Sequence, residues 1–262
     1  MKAARRCRLA PPTPSSDYSP VRHHFFASPS PRVFAHRGGS ALAPENTLAA
    51  FDNAITLGAD GLELDVRLSR DGVVVVHHDA ILDRTTPLRG PVAERTMSEL
   101  ARVDVPSLAD VLARYGDVPI IIELKLDTAD FAQSVLDVVR AARAAPRVCL
   151  GSFGRNALRA ARLLEPAIAT SASSEEVRSA LIRSWLRSPV SDVPYDGYQI
   201  PESSGRVRVV SKRFVNDAHR AGLGVQVWTV DTVPDAQRLL SWGVDALITD
   251  RPDLIVPLVR SL

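Results

Sequence analysis

The chain has 262 residues, is 45% hydrophobic and 24% charged, and carries a formal net charge of +2. That length suits one α/β barrel of about 250 residues or two small domains, with apolar residues enough for a sizeable core. Two cysteines, Cys7 and Cys149, lie too far apart in the sequence to support a disulfide framework or a zinc site, and no apolar run approaches the ~18 residues of a membrane span.

Up to Arg32, six Lys/Arg stand against one acid, Asp17, so the chain reads as a basic tail on a mildly acidic remainder. Residues 1–31 are rich in Pro, Ser and Arg and show no periodicity, the composition of a disordered tail. The basic start MKAARRCR runs into LAPPTPSSDYSP rather than an apolar segment, which argues against a Sec signal peptide; a cytoplasmic location is expected. The net charge singles out no nucleic-acid partner, and none is expected.

From Val33 onward, short apolar runs alternate with amphipathic ones. The first strand is Val33–Ala35. A helix opens near Pro44-Glu45-Asn46-Thr47 and stops at Gly58, with Pro near its start and Gly past its end as punctuation. The second strand is Gly61–Leu68; Asp71-Gly72 then turns the chain so that Val73–His77 runs back antiparallel, since such a turn cannot supply a crossover. Residues 79–106 read as a loop or short insertion. Ser107 caps a helix, and the third strand is Pro119–Leu124. Helix–strand units follow, with strands at Val148–Leu150, Ala167–Ser171, near Tyr198-Gln199-Ile200, Val225–Val230 and Ala246–Thr249, and a terminal helix after Pro252. Eight such strands, with no Gly-rich nucleotide fingerprint after the first, favour a closed (β/α)8 TIM barrel over a doubly wound sheet.

A barrel presents its chemistry where strands end and loops begin. The polar residues there are His36, Arg37, Glu63, Asp65, His78, Glu123, Lys125, Ser152 and Trp228. Glu63 and Asp65 are two apart, so they share one face of their strand, and Leu62, Leu64 and Val66 take the other. With Glu123 on the next strand they form a three-carboxylate set suited to a hard divalent cation, Ca²⁺ or Mg²⁺; pairing with Arg37, Lys125 or Arg67 is the alternative. His36 and His78 can each take or give a proton near neutral pH, as cleavage of a phosphodiester requires. His77 rivals His78, but neighbours on a strand face opposite ways, and His78 adjoins Asp79 at the rim. Arg37 and Lys125 suit an anionic substrate or simple ion pairs. Trp228 either walls the site or packs in the core, and Glu45 either serves the substrate or favours the positive end of its helix. Ser152 has no histidine assigned to it, and no GxSxG occurs. Together these residues read as a metal-assisted phosphodiesterase site.

In order along the chain, AHRG (35–38), PENT (44–47), ELDV (63–66), HHD (77–79) with LDRTT (82–86), IELK (122–125), SF (152–153), VWTV (227–230) and ITDRPD (248–253) resemble the glycerophosphodiester phosphodiesterase family from about Arg32 to the C-terminus. The resemblance implies a (β/α)8 barrel, one divalent metal, and hydrolysis of glycerophosphodiesters to sn-glycerol 3-phosphate and an alcohol in lipid and glycerol metabolism. It implies His36 and His78 as the acid–base pair, Glu63, Asp65 and Glu123 as metal ligands, and Arg37 and Lys125 as phosphate contacts; Trp228 and Glu45 are added as substrate contacts from their place beside the site. It also implies first attack by the substrate's own hydroxyl, giving a cyclic phosphate that water opens. Where the family carries a small subdomain after its HD segment, the stretch from Asp79 to Ser107 is short, with PSLAD in place of a PTLEE-like run; a reduced lid would bear on substrate range. The competing readings are a phospholipase D-type lyase that stops at the cyclic phosphate, a non-catalytic phosphodiester-binding barrel, and a Schiff-base chemistry for which Lys125 is the one candidate.

Overall fold

The computed structural model describes residues 23–262. In chain order the elements are β1 (Arg32–His36), α1 (Leu48–Thr56), β2 (Gly61–Leu68), β3 (Val74–Val76), α2 (Met97–Ala101), α3 (Leu108–Arg114), β4 (Ile120–Leu124), α4 (Ala129–Ala141), β5 (Val148–Gly151), α5 (Arg155–Leu164) and β6 (Ala169–Thr170). They continue with α6 (Ser174–Trp185), β7 (Gly197–Pro201), β8 (Ser203–Ser204), β9 (Val207–Arg208), α7 (Lys212–Arg220), β10 (Gly224–Trp228), α8 (Val233–Ser241), β11 (Ala246–Thr249) and α9 (Pro252–Arg260).

Eight parallel strands run in the order β6-β5-β4-β2-β1-β11-β10-β7, and a parallel bridge from Ser171 to Gly197 brings the two ends together. The result is the expected TIM barrel, and β3 lies antiparallel on β2 as the Asp-Gly turn requires. Strand alternation sorts the side chains. On β2, Leu62, Leu64 and Val66 face outward into the core beneath the helices, as do Ile120, Ile122 and Leu124 on β4. That leaves Glu63, Asp65, Ile121 and Glu123 to the barrel interior. Register then pairs His36 with Glu63 and Asp65 with Glu123 across neighbouring strands.

The insertion after β3 is more than a loop. It carries a 3-10 turn at Val92–Glu94 and the capped helix α2, and Val75, Leu82, Val92, Leu100 and Val105 bury a small core of their own.

Of the tail expected to be disordered over residues 1–31, residues 1–22 lie outside the described residues, and the remainder corrects the expectation. His23–Ala27 make a hydrogen-bonded turn that drives Phe25 and Phe26 into the N-terminal mouth of the barrel. Both are nearly fully buried, against the inward-facing Phe34, Ile121, Cys149 and Ala246. The approach depends on two distant glycines: a Cβ on Gly197 or Gly224 would stand 2.5 or 2.6 Å from the Phe26 ring. Arg32 lies over the Phe25 and Phe34 rings at 5.3 and 5.2 Å and donates to the Phe25 carbonyl oxygen. Phe26→Ala should therefore cost about 3–5 kcal/mol in denaturant unfolding. A loss under about 1 kcal/mol would mean that the turn contributes nothing to the fold.

Candidate active site

The C-terminal ends of β1, β2 and β4, with the turn after β3, converge on a cavity of about 680 Å³. His36, Arg37, Glu63, His78, Glu123, Lys125, Ser152 and Trp228 line it. Asp65 lies just beneath, 1% exposed, and is part of the same acidic group.

The turn that follows β1 sets the geometry. Arg37, Gly38 and Gly39 all take positive φ, at 51, 85 and 87°. A Cβ on Gly38 would lie 2.8 Å from that of Ala50, so the chain can fold back here only because the residue is glycine. The turn points the Arg37 backbone N–H at Glu63 Oε2, 3.0 Å away, and lays the guanidinium between Glu45 (3.2 Å) and Asp65 (3.4 Å).

Glu63, Asp65 and Glu123 each offer a carboxylate oxygen, all within 4.8 Å of one another. Lys125 Nζ is the local counter-charge, 2.8 Å from both Asp65 Oδ1 and Glu123 Oε1. Asp65 is held further by Asn46, whose Nδ2 donates to Oδ2 at 2.9 Å. Burial would raise the Asp65 pKa, but Lys125, by charge and hydrogen bond, together with the Arg37 and His78 charges outweighs it and holds the group below its ordinary value. Glu63 has no such cation on it. Burial first, and then the Asp65 charge, push its pKa up to about 8. For Lys125, burial is outweighed by Asp65 and Glu123, and its pKa rises. An all-oxygen donor set with a surplus carboxylate fits a hard divalent cation such as Ca²⁺ or Mg²⁺.

Both histidines of the cavity are backed by an aspartate. His36 Nδ1 lies 2.7 Å from Asp250 Oδ1 at the end of β11, and Ser40 Oγ donates to that same oxygen at 2.6 Å. His36 Nε2 is 3.9 Å from Glu63 Oε2. Burial would lower the His36 pKa; the Glu63 charge and the Asp250 hydrogen bond outweigh it, and the value is raised. His78 Nδ1 lies 2.7 Å from Asp79 Oδ1, whose partner oxygen accepts from Arg84 Nε at 2.7 Å. The Arg84 hydrogen bond holds the Asp79 carboxyl far below the usual range. With Nδ1 committed in each ring, Nε2 is the atom left to exchange a proton with a ligand.

His77 turns the other way, into the LDRTT loop, where its ring nitrogens meet the Asp79 carbonyl oxygen and Thr85 Oγ1. Glu45, expected at the substrate, does not line the cavity: both of its oxygens accept from Arg84, at 2.7 and 2.8 Å, and one also from Arg37. It is a strut that ties the insertion to Arg37. Trp228 does line the cavity, edge-on to Phe153 at 6.0 Å between ring centroids. Ser152 Oγ donates to the Leu124 carbonyl oxygen, with no histidine partner.

Three residues that shape the site were not singled out from the sequence. Asn46 reads there as part of a helix start within the PENT run; in the structure it takes a φ of 59° directly before the capping Thr47, a left-handed position that asparagine favours. Asp250 stands one residue beyond a barrel strand, where the fold collects functional groups. Arg84 belongs to the insertion, and its signal was its place in the LDRTT run, which was given without a role for the arginine.

The model of the Glycerophosphoryl diester phosphodiesterase family matches residues 36–254. A glycerophosphodiester phosphodiesterase of Caldanaerobacter subterraneus subsp. tengcongensis is 31% identical over 250 residues, covering 87% of this chain and 97% of that one. A solved glycerophosphodiester phosphodiesterase from Agrobacterium tumefaciens superposes with a TM-score of 0.71 at 30% identity, over 87% of this chain and 99% of that chain. An Oleispira antarctica phosphodiesterase, solved in complex with the product sn-glycerol-3-phosphate, does so with a TM-score of 0.72 at 28% identity, over 88% and 97%. Among the described residues no helix is long and apolar enough to cross a membrane.

Proposed function

The chain belongs to the glycerophosphoryl diester phosphodiesterase family, and on that premise we propose that it hydrolyses a glycerophosphodiester to sn-glycerol 3-phosphate and an alcohol. His36 and His78 are the acid–base pair, and Glu63, Asp65 and Glu123 hold one divalent cation. The observation that carries this reading is the convergence of two aspartate-backed imidazoles on the cavity that Glu63 and Glu123 also line.

The bound cation would supply positive charge for the phosphoryl oxygens. Arg37 and Lys125 add to it from the cavity wall and bind the diester anion. One imidazole Nε2 takes the proton of the glycerol hydroxyl next to the phosphoester as its oxygen bonds to phosphorus; the other gives a proton to the alkoxide as the bond from phosphorus to the alcohol breaks. Water then opens the cyclic phosphate with the two roles exchanged, and both rings return to their starting protonation. Asp250 and Asp79 keep each ring's Nδ1–H turned inward, so that Nε2 presents a lone pair when neutral and a donor when charged. No protein nucleophile is needed, in keeping with Ser152 being tied to the Leu124 carbonyl oxygen.

Phosphorus NMR of glycerophosphocholine incubated with the protein and Ca²⁺ or Mg²⁺ is the direct test. The expected end product is the phosphomonoester, with one choline released per phosphate. A cyclic phosphate that accumulates and persists would make the protein a lyase, and an unchanged diester would reduce it to a binder.

A further inference from the structure

The cavity has two unlike ends. One holds the histidines, the acids, Arg37 and Lys125. The other is walled by α6 and by the β8–β9 hairpin with the end of β7, through Val177, Leu181, Ile182, Trp185, Val207 and Val209. Residues 177, 181 and 185 recur at helical spacing, so they form one stripe about 12 Å long at 1.5 Å per residue. Along α6 only Ala180, Leu181 and Ser184 are buried. Leu181 is shared with the core around Tyr198 and Phe214, and Val177 packs against that core, but Ile182 and Trp185 are left open at the cavity wall: Ile182 is 45% and Trp185 57% exposed, as is Val207 at 43%. A small polar diester bound at the ionic end offers these side chains nothing to cover them.

From this division of one continuous cavity, and resting on the phosphodiesterase reading, we propose that the substrate is a glycerophosphodiester bearing one long hydrocarbon chain, which lies along the α6 stripe while the phosphate sits at the ionic end. The chain comes either as an acyl group on the glycerol, as in a lysophospholipid, or as a long-chain alcohol on the phosphate. Both present the same chemistry to Val177, Leu181 and Trp185. Neither requires a new step at phosphorus, so the acid–base scheme and its atom balance are unchanged.

The test is a chain-length series, run on the full chain with Mg²⁺ or Ca²⁺ and below the micelle concentration of every substrate. One arm uses lysophosphatidylcholines of increasing acyl length and the other glycerophospho-n-alkanols, each against glycerophosphocholine. In the arm that carries the natural source, kcat/KM should rise about three- to fourfold per added methylene and level off near a chain of about ten carbons, as long as the stripe. Ile182→Asp and Val207→Asp, both at exposed positions, should flatten that slope in the same arm without lowering the melting temperature. Binding is read separately: a medium-chain member of the series should shift the fluorescence of Trp185 to the blue, and Trp185→Phe should remove most of that shift. A kcat/KM that is flat or falls with chain length in both arms, while glycerophosphocholine is turned over, overturns the inference and leaves the phosphodiesterase reading standing. So does an unshifted Trp185. A protein inert towards every diester sinks both.

Discussion

His36→Ala should lower kcat for glycerophosphodiester hydrolysis by about 10²–10⁴-fold, the usual loss when a positioned proton carrier is removed, while the protein still melts cooperatively near the wild-type temperature. The ring is partly buried but not part of any apolar cluster, and its removal opens space at the cavity wall rather than in the core. His78→Ala should lose a similar factor. If, as proposed, one imidazole gives a proton while the other takes one, the double variant should be little worse than either single one. Losses that multiply would mean that the two rings act in separate steps. Asp250→Asn adds a finer readout. It keeps the shape beside His36 Nδ1 but removes the charge, so it should depress kcat with little change in KM. More than a tenth of wild-type activity in His36→Ala would remove the ring from the chemistry altogether.

The barrel was legible in the sequence because parallel strands buried on both faces appear as short continuous apolar runs, and here each run ends in a polar cluster or a glycine. Alternation on β2 was enough to turn Glu63 and Asp65 inward, and the Asp71-Gly72 turn was enough to make β3 antiparallel. What stayed hidden depends on partners far away in the chain. Phe25 and Phe26 sit in a stretch whose Pro and Ser content reads as disorder, and the two glycines that admit Phe26 lie some 170 and 200 residues later. The β8–β9 hairpin has strands of two residues, too short for any periodicity, and turns at Gly205 with φ at 59°. Glu45 shows the same limit within the site. Its position beside the cavity was readable, but its long side chain could reach either a ligand or a cation, and in the structure both oxygens are taken by Arg84, 39 residues away.

Adding Ca²⁺ or Mg²⁺ should stabilise the protein by an amount that grows as pH rises from 6 to 8, and should release a proton on binding near pH 7. Burial and the Asp65 charge raise the Glu63 pKa from its ordinary 4.5 to about 8, so without a cation the folded protein gives this proton up at a far higher pH than an unfolded chain does, and the His36 charge is what opposes that rise. An unfolded chain gives it up near 4.5. The sign follows from that difference: the stability Glu63 contributes is fullest below about pH 4.5 and is lost progressively as pH climbs to about 8. A divalent cation takes the place of the proton, so its affinity should gain about tenfold per pH unit across the window in which one proton is displaced. Thermal melts with and without cation at pH 6, 7 and 8 read the stabilisation, and calorimetry in two buffers of different ionisation enthalpy counts the proton. Glu63→Gln mimics the protonated carboxyl. It should match or exceed the cation-free wild type in stability at pH 8, and should lose most of the response to the cation. Stabilisation by cation that ignores pH, or a Glu63→Gln protein that still responds in full, would place the cation away from the three carboxylates and leave Lys125 as the counter-charge that Asp65 and Glu123 were built to hold.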